Sequence, residues 1–319
     1  MIISILLIVI GMVLVLWGAD RLTDGAVAIA KRMNVPEIVI GLTIVAMGTS
    51  MPEFCVSFAS ALKGTADLAV GNVVGSNIFN AMLIVGTAAM VAPITILKST
   101  VRKDIPFAVF ASLMLLQMGL NYSITRTEAF VLFIMFAVFT IYTVMGAKDN
   151  VEENKNEKEN ENKHNGSKWP AFFYHPAFGV IFGLSALIFG SNIFVDNATE
   201  IARLMGVSEA VIGLTIVAAG TSLPELATSI VSARKGQSGI AIGNVIGSNV
   251  FNILFIIGLT GMVTPMHTSG LTTIDFAVML ISMLLLWLMS FTKYTLSRWE
   301  GAVLATLYII YVGWLIYNV

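Results

Sequence analysis

Charge is what this sequence has least of: 12% of its 319 residues are Asp, Glu, Lys or Arg, against about 25% in an ordinary soluble domain. The gaps between charges are long apolar runs, and 57% hydrophobic residues with a mean hydropathy of +0.86 place those runs in a bilayer. A net charge of −1 offers no basic surface for nucleic acid. The single cysteine, Cys55, excludes an internal disulfide and a cysteine-rich metal centre, and is read as packing. Histidine is nearly absent too. His164 falls in a hydrophilic stretch, while His175 and His267 mark the ends of apolar runs, so no imidazole metal site is written into the chain. No HExxH or GxSxG string supports an intramembrane hydrolase. No cofactor motif is present, and the 17 methionines and 19 phenylalanines read as lipid-facing or packing residues.

What is present is a succession of apolar stretches of membrane-spanning length. Ten spans are expected, near 2–19, 36–62, 67–92, 104–120, 127–146, 174–197, 207–233, 239–263, 275–291 and 300–317. Residues 1–17 lack the basic start of a secretory signal, and no presequence or lipidation motif is evident, so the first run is expected to stay as a helix. With the N-terminus outside, fifteen of the 18 Lys and Arg fall on cytoplasmic connections, leaving Lys63, Arg126 and Arg203 outside. That bias puts both termini on the extracellular or periplasmic face of the cell membrane. The stretch from Ala147 to Lys168 contains VEENKNEKENENKHNGSK, nearly balanced in charge and almost free of apolar residues. It is expected to be a disordered cytoplasmic tether. The division is 1–146, a linker at 147–171, and 172–319.

The two halves repeat. GLTIVAMGTSMPEF at 41–54 recurs as GLTIVAAGTSLPEL at 213–226, and GNVVGSNIFN at 71–80 recurs as GNVIGSNVFN at 243–252, both offset by 172 residues. Five spans per half is an odd number, and the linker leaves and re-enters on one side. The second half must therefore sit upside down relative to the first. The fold class expected is an all-α polytopic membrane protein, two inverted five-helix repeats with broken helices at the midplane, an arrangement that places a binding site between the repeats.

The repeated motif has the chemistry of a cation site. Pro52 has no N–H and its ring clashes with the Gly48 carbonyl, so the second span should break at Gly48-Thr49-Ser50-Met51-Pro52-Glu53. Carbonyls freed in hydrocarbon persist only where they line a cavity with something to bind. Thr49 and Ser50 add hydroxyls and Glu53 adds a carboxylate; Thr221, Ser222, Pro224 and Glu225 repeat the set from the other half. A mid-membrane carboxylate costs roughly 2.5 kcal/mol or more, so two of them in duplicated sequence are unsuited to a purely structural role. The all-oxygen set suits Ca²⁺, which takes six to eight hard oxygen ligands, and also Na⁺. Two glutamates neutralise one Ca²⁺ or two Na⁺. Ser76 and Asn80, with Ser248 and Asn252, share helical faces and are candidate cavity-liners. Asn72 and Asn244, one turn back, could line the cavity or hold its walls. Asp20, Asp24, Glu37, Asp196 and Glu209 lie near span ends and are read as structural.

The GTSxPE and GNVxGSNxFN pairs resemble the alpha repeats of the sodium/calcium exchanger family, within the calcium/cation antiporter superfamily. The resemblance covers essentially the whole chain. It implies a central Ca²⁺ site of Glu53 and Glu225 with the carbonyls of Thr49 and Thr221. Flanking Na⁺ sites would draw on the carbonyls of Ala46 and Ala218 with Ser50, Ser222, Ser76 and Ser248, while Asn80 and Asn252 border the middle site. It also implies that the first and sixth spans slide against the other eight. Two departures stand out: Asn252 replaces an acid linked to K⁺ transport in K⁺-dependent relatives, and the linker is too short for Ca²⁺-sensing domains. The expected function is Na⁺-driven Ca²⁺ export, with the lipid bilayer and the two ions as partners and no obligatory protein partner. Proton or K⁺ coupling is the alternative, since neighbouring carboxylates share protons readily. The proton-coupled branch, however, typically carries Asn-Ala-x-Glu instead. A passive cation channel would show flux without a counter-ion.

Overall fold

A computed structural model describes residues 2–153, 176–206, 218–268 and 271–318. The helices are α1 (Ile2–Met33), α2 (Glu37–Thr49), α3 (Met51–Leu62), α4 (Ala66–Val91), α5 (Thr100–Leu120) and α6 (Arg126–Glu153) in the first half. In the second they are α7 (Pro176–Leu204), α8 (Ala218–Thr221), α9 (Leu223–Arg234), α10 (Ser238–Val263), α11 (Thr273–Ser290) and α12 (Arg298–Asn318). Among the described residues seven helices are long and apolar enough to cross a membrane, eight if α2 and α3, bent by 47°, form one broken span. Much of the span expected at 207–233 lies outside the described residues, as does most of the 147–171 linker. At the linker's start the chain departs from expectation: α6 runs on to Glu153 instead of ending at 146, through Ala, Lys and Glu, which favour helix.

The chain is not wholly α. Residues Ile94–Thr95 (β1) pair with Thr295–Leu296 (β4), and Ser123–Ile124 (β2) with Met266–His267 (β3), both antiparallel. These two-residue ladders satisfy backbone groups where helices end, a need that hydropathy does not register. The pairs Ile94↔Leu296 and Ile124↔Met266 exchange under a shift of 172 residues. The same exchange relates α4–α12 contacts, where Gly86 meets Gly301 and Ala305, to α10–α6 contacts, where Gly258 meets Ala129 and Phe133.

α1 and α7, equivalent in the two halves, run antiparallel against each other. Gly11 faces Gly190, Gly18 faces Gly183, and Gly25 faces Val180. The approach is backbone to backbone: a Cβ on Gly18 would lie 2.7 Å from the Gly183 carbonyl oxygen, the close contact that small residues permit between membrane helices. Burial sorts the helices into layers. In the apolar windows, 94% of α10 and 72% of α4 are buried, against 28% of α1 and α7, so α4 and α10 form the centre and the α1–α7 pair lies at the periphery. Its outward residues, Ile2, Ile3, Leu6, Val9 and Val13 on α1, are exposed, as a lipid-facing wall should be.

In the C-terminal half of α1, Lys235 Nζ lies 2.7 Å from both Asp20 and Asp24 carboxylate oxygens, tying α1 to the end of α9. This fits the structural reading of those two acids.

Candidate cation site

Both GTSxPE segments break at serine. Ser50 (φ −84°, ψ 9°) separates α2 from α3, and Ser222 (φ −90°, ψ 8°) separates α8 from α9. Pro52 and Pro224 fall in the first turns of α3 and α9, where a missing N–H costs nothing because first-turn amides have no helical partner. Glu53 and Glu225 sit in the same first turns, at the helix end that carries partial positive charge.

The breaks meet across the halves. Ser50 Oγ donates to Glu225 Oε1 at 2.7 Å, and Ser222 Oγ donates to Glu53 Oε1 at 2.8 Å. Each half's serine thus holds the other half's carboxylate. Both glutamates are 1% exposed, and among the described residues neither is ion-paired to a basic side chain. Their second oxygens, Glu53 Oε2 and Glu225 Oε2, are buried with no hydrogen-bond donor among the described residues. Asn80 Oδ1, Asn252 Oδ1 and Ser248 Oγ are orphaned in the same way. Buried carboxylates left uncompensated cost several kcal/mol each. Unpartnered acceptor oxygens of this kind are chemically suited to a cation. The buried atoms here are carboxylate, hydroxyl and amide oxygens, hard ligands unlike the sulfur and imidazole that suit soft metals.

The walls are held from behind. Asn72 Nδ2 donates to the Glu53 carbonyl (3.2 Å) and to Ser57 Oγ (2.9 Å); Asn244 Nδ2 donates to the Glu225 carbonyl (3.3 Å) and Ser229 Oγ (3.1 Å). These asparagines therefore brace the helix starts that carry the glutamates, resolving the choice that spacing left open. Thr49 Oγ1 donates to Asn244 Oδ1 at 3.1 Å and to the Ala46 carbonyl at 3.4 Å. The Ala46 carbonyl also accepts from the Ser50 N–H at 3.0 Å. Ser76 Oγ lies 3.5 Å from Ser222 Oγ, next to the clasped carboxylate. Ala218 and Thr221 begin and end the short helix α8 before the second break. Both asparagines of each GSNxFN string are engaged: Asn80 Nδ2 donates to Asn249 Oδ1 (3.1 Å) and Asn252 Nδ2 to Asn77 Oδ1 (3.2 Å). Asn77 and Asn249 are the site residues that sequence reasoning passed over, although the duplicated string already contained them.

α4 and α10 change to π-helix at Phe79–Ile84 and Phe251–Ile257, where Asn80 and Asn252 sit. Such bulges concentrate at functional sites because they re-aim side chains. Thr49, Ser50, Ser222, Ser248 and Asn252 are all fully buried. A cavity of about 800 Å³ lined by Leu42, Leu97, Lys103 and Tyr142 lies elsewhere, among α2, α5 and α6.

Fold and site together define a multi-pass membrane protein with two buried carboxylates clasped across two related halves. The sequence profile of the sodium/calcium exchanger protein family matches residues 3–145 and again 175–317, and the chain belongs to that family. It is 31% identical to the sodium/calcium exchanger MaX1 of Methanosarcina acetivorans, over 99% of both chains. It is 34% identical to the inner membrane protein YrbG of Escherichia coli (strain K12), over 88% of this chain and 86% of that one. Its fold matches the sodium-calcium exchanger NCX_Mj soaked with zero Na⁺ and Ca²⁺, with a TM-score of 0.84 and 30% identity, covering 98% of this chain and 99% of the other.

Proposed function

We propose that this protein is a secondary antiporter that exchanges Na⁺ for Ca²⁺ at the Glu53–Glu225 chamber, exporting Ca²⁺ as Na⁺ enters. The observation that carries the reading is the reciprocal serine–carboxylate clasp with its two donorless carboxylate oxygens. One Ca²⁺ or two Na⁺ neutralise the pair, so the ions compete for one set of ligands. With neither bound, two buried negative charges resist transfer through a low dielectric. That penalty ties the movement of one ion to that of the other.

The architecture proposed is ten spans in two inverted repeats, both termini outside and the linker cytoplasmic. The antiparallel α1–α7 pair and the exchange of contacts under the 172-residue shift support inversion. Alternating access would come from that peripheral pair sliding over the buried core of α4 and α10. The ions are cargo, and the lipid bilayer is the solvent for everything around them.

The test is radioactive Ca²⁺ uptake into proteoliposomes under imposed Na⁺, K⁺ or pH gradients. Uptake driven by Na⁺ alone is expected. Uptake that follows a pH gradient without Na⁺, or that needs no counter-ion, would overturn Na⁺ coupling.

A further inference from the structure

Asn77 and Asn249 do more than pack. Both side chains are buried, at 0% and 1% exposure, and each amide is polarised by groups that can only accept. Asn249 Nδ2 donates to the Asn77 carbonyl at 3.3 Å and to Met283 Sδ at 3.1 Å. Asn77 Nδ2 donates to the Asn249 carbonyl at 3.5 Å and to Met279 Sδ at 3.9 Å. A thioether sulfur or a backbone carbonyl offers no hydrogen, so the NH₂ ends must face them and the Oδ1 ends must face away. Those Oδ1 atoms take the NH₂ groups of Asn80 (3.1 Å) and Asn252 (3.2 Å). The consequence falls on the opposite side of the outer amides: Asn80 Oδ1 and Asn252 Oδ1 are turned the other way, buried, with no donor among the described residues. Asn80 lies four residues beyond Ser76, whose Oγ is 3.5 Å from the serine that clasps Glu53.

We propose that Asn77 and Asn249 are positioning residues that lock the amides of Asn80 and Asn252 with oxygen, rather than NH₂, presented to the transported cation. An amide is nearly the same shape either way round. Without a fixed partner, Asn80 could turn its NH₂ dipole toward a divalent ion and repel what it should bind. The direction of each amide is set by a chain of donors and acceptors that starts at the Asn77 and Asn249 carbonyls and at Met279 and Met283 on α11, the last two outside the duplicated motifs. This inference rests on the chamber being the ion site, as in the reading above.

The test is a two-background comparison on the full-length protein, measuring Ca²⁺ binding by calorimetry and Na⁺-driven Ca²⁺ flux. Asn249→Leu keeps the volume and removes the acceptor facing Asn80. It is expected to weaken Ca²⁺ binding, and to raise half-saturating Ca²⁺, at least tenfold while maximal flux falls less than threefold. In an Asn80→Asp background there is no amide to orient, because a carboxylate presents oxygen on both sides. There the effect of Asn249→Leu is expected to shrink below threefold. Equal effects in both backgrounds, or a loss of maximal flux with affinity intact, overturn the proposal in favour of a merely structural role. Should Asn249→Leu fail to fold, Asn249→Ala removes the same Oδ1 acceptor; a rise of at least threefold in half-saturating Ca²⁺ that is lost in the Asn80→Asp background supports the relay, and equal effects in both backgrounds overturn it. Tight Ca²⁺ binding without Na⁺-driven flux sinks the transport reading alone, and the calorimetric comparison still decides the amide question. A wild-type protein that binds no Ca²⁺ overturns both.

Discussion

At the scale of single residues, the decisive balance is between burying two carboxylates and compensating them. Glu53→Gln and Glu225→Gln each remove one charge the cation must answer. Each is expected to abolish Na⁺-driven Ca²⁺ uptake; near-normal uptake in either variant refutes the site. The serines make a finer test. A hydrogen bond to a charged group contributes about 1.5–3 kcal/mol, and Ser50 and Ser222 make mirror-related bonds of 2.7 and 2.8 Å. Ser50→Ala and Ser222→Ala should therefore shift half-saturating Ca²⁺ by similar factors, on the order of tenfold; a large effect from one and none from the other would deny the equivalence. The glutamates, serines and breaks were legible in the sequence because the motif is duplicated and chemically unusual. Asn77 and Asn249 were not singled out, because nothing in a string tells which of two nearby asparagines faces the cavity and which holds its neighbour. That depends on Met279 and Met283, some 200 and 34 residues away in the chain.

At the scale of elements, glycine contacts outweigh surface charge. A Cβ on Gly18 would meet Gly183 O at 2.7 Å and Leu187 N at 2.8 Å, and both are backbone atoms that cannot give way. Gly18→Val should force α1 and α7 apart and lower both the unfolding temperature and transport. Gly313→Val, with nothing within 4 Å of its Cβ, should change neither. The Lys235 bridge to Asp20 and Asp24 involves side chains 25–52% exposed, and such pairs are worth at most about 1 kcal/mol. Lys235→Gln should thus be milder than Gly18→Val in a thermal unfolding assay, and the reverse order would contradict this ranking. Element ends were the least legible part. Thr125 with Glu128, Ser297 with Glu300, and Thr272 with Asp275 form reciprocal caps that start α6, α12 and α11. Each is a Ser/Thr-x-x-acid string visible in the sequence, masked by a search for apolar length alone. The two strand pairings had no such signal, since two residues cannot show an alternation.

At the scale of the whole molecule, orientation remains the boldest expectation from Lys and Arg placement. In a Cys55→Ala background, Lys63→Cys should react with a membrane-impermeant maleimide added outside intact cells, and Lys98→Cys only after permeabilisation. The opposite pattern would invert the topology. The repeat was legible because the motifs keep one 172-residue offset with no insertion, and the structure adds that the offset governs contacts far from the motifs, down to the Arg126–Val263 and Arg298–Val91 end contacts. One consequence follows from the crossed clasp of Ser50 on Glu225 and Ser222 on Glu53. Neither half owns a working binding pocket, so a fragment ending before the linker would be mute by itself, and calcium recognition would return only when both fragments are made together and mate correctly. Under the proposed function, ion binding would serve as a proofreading signal for assembly, reporting that two complementary pieces have found each other in the right register.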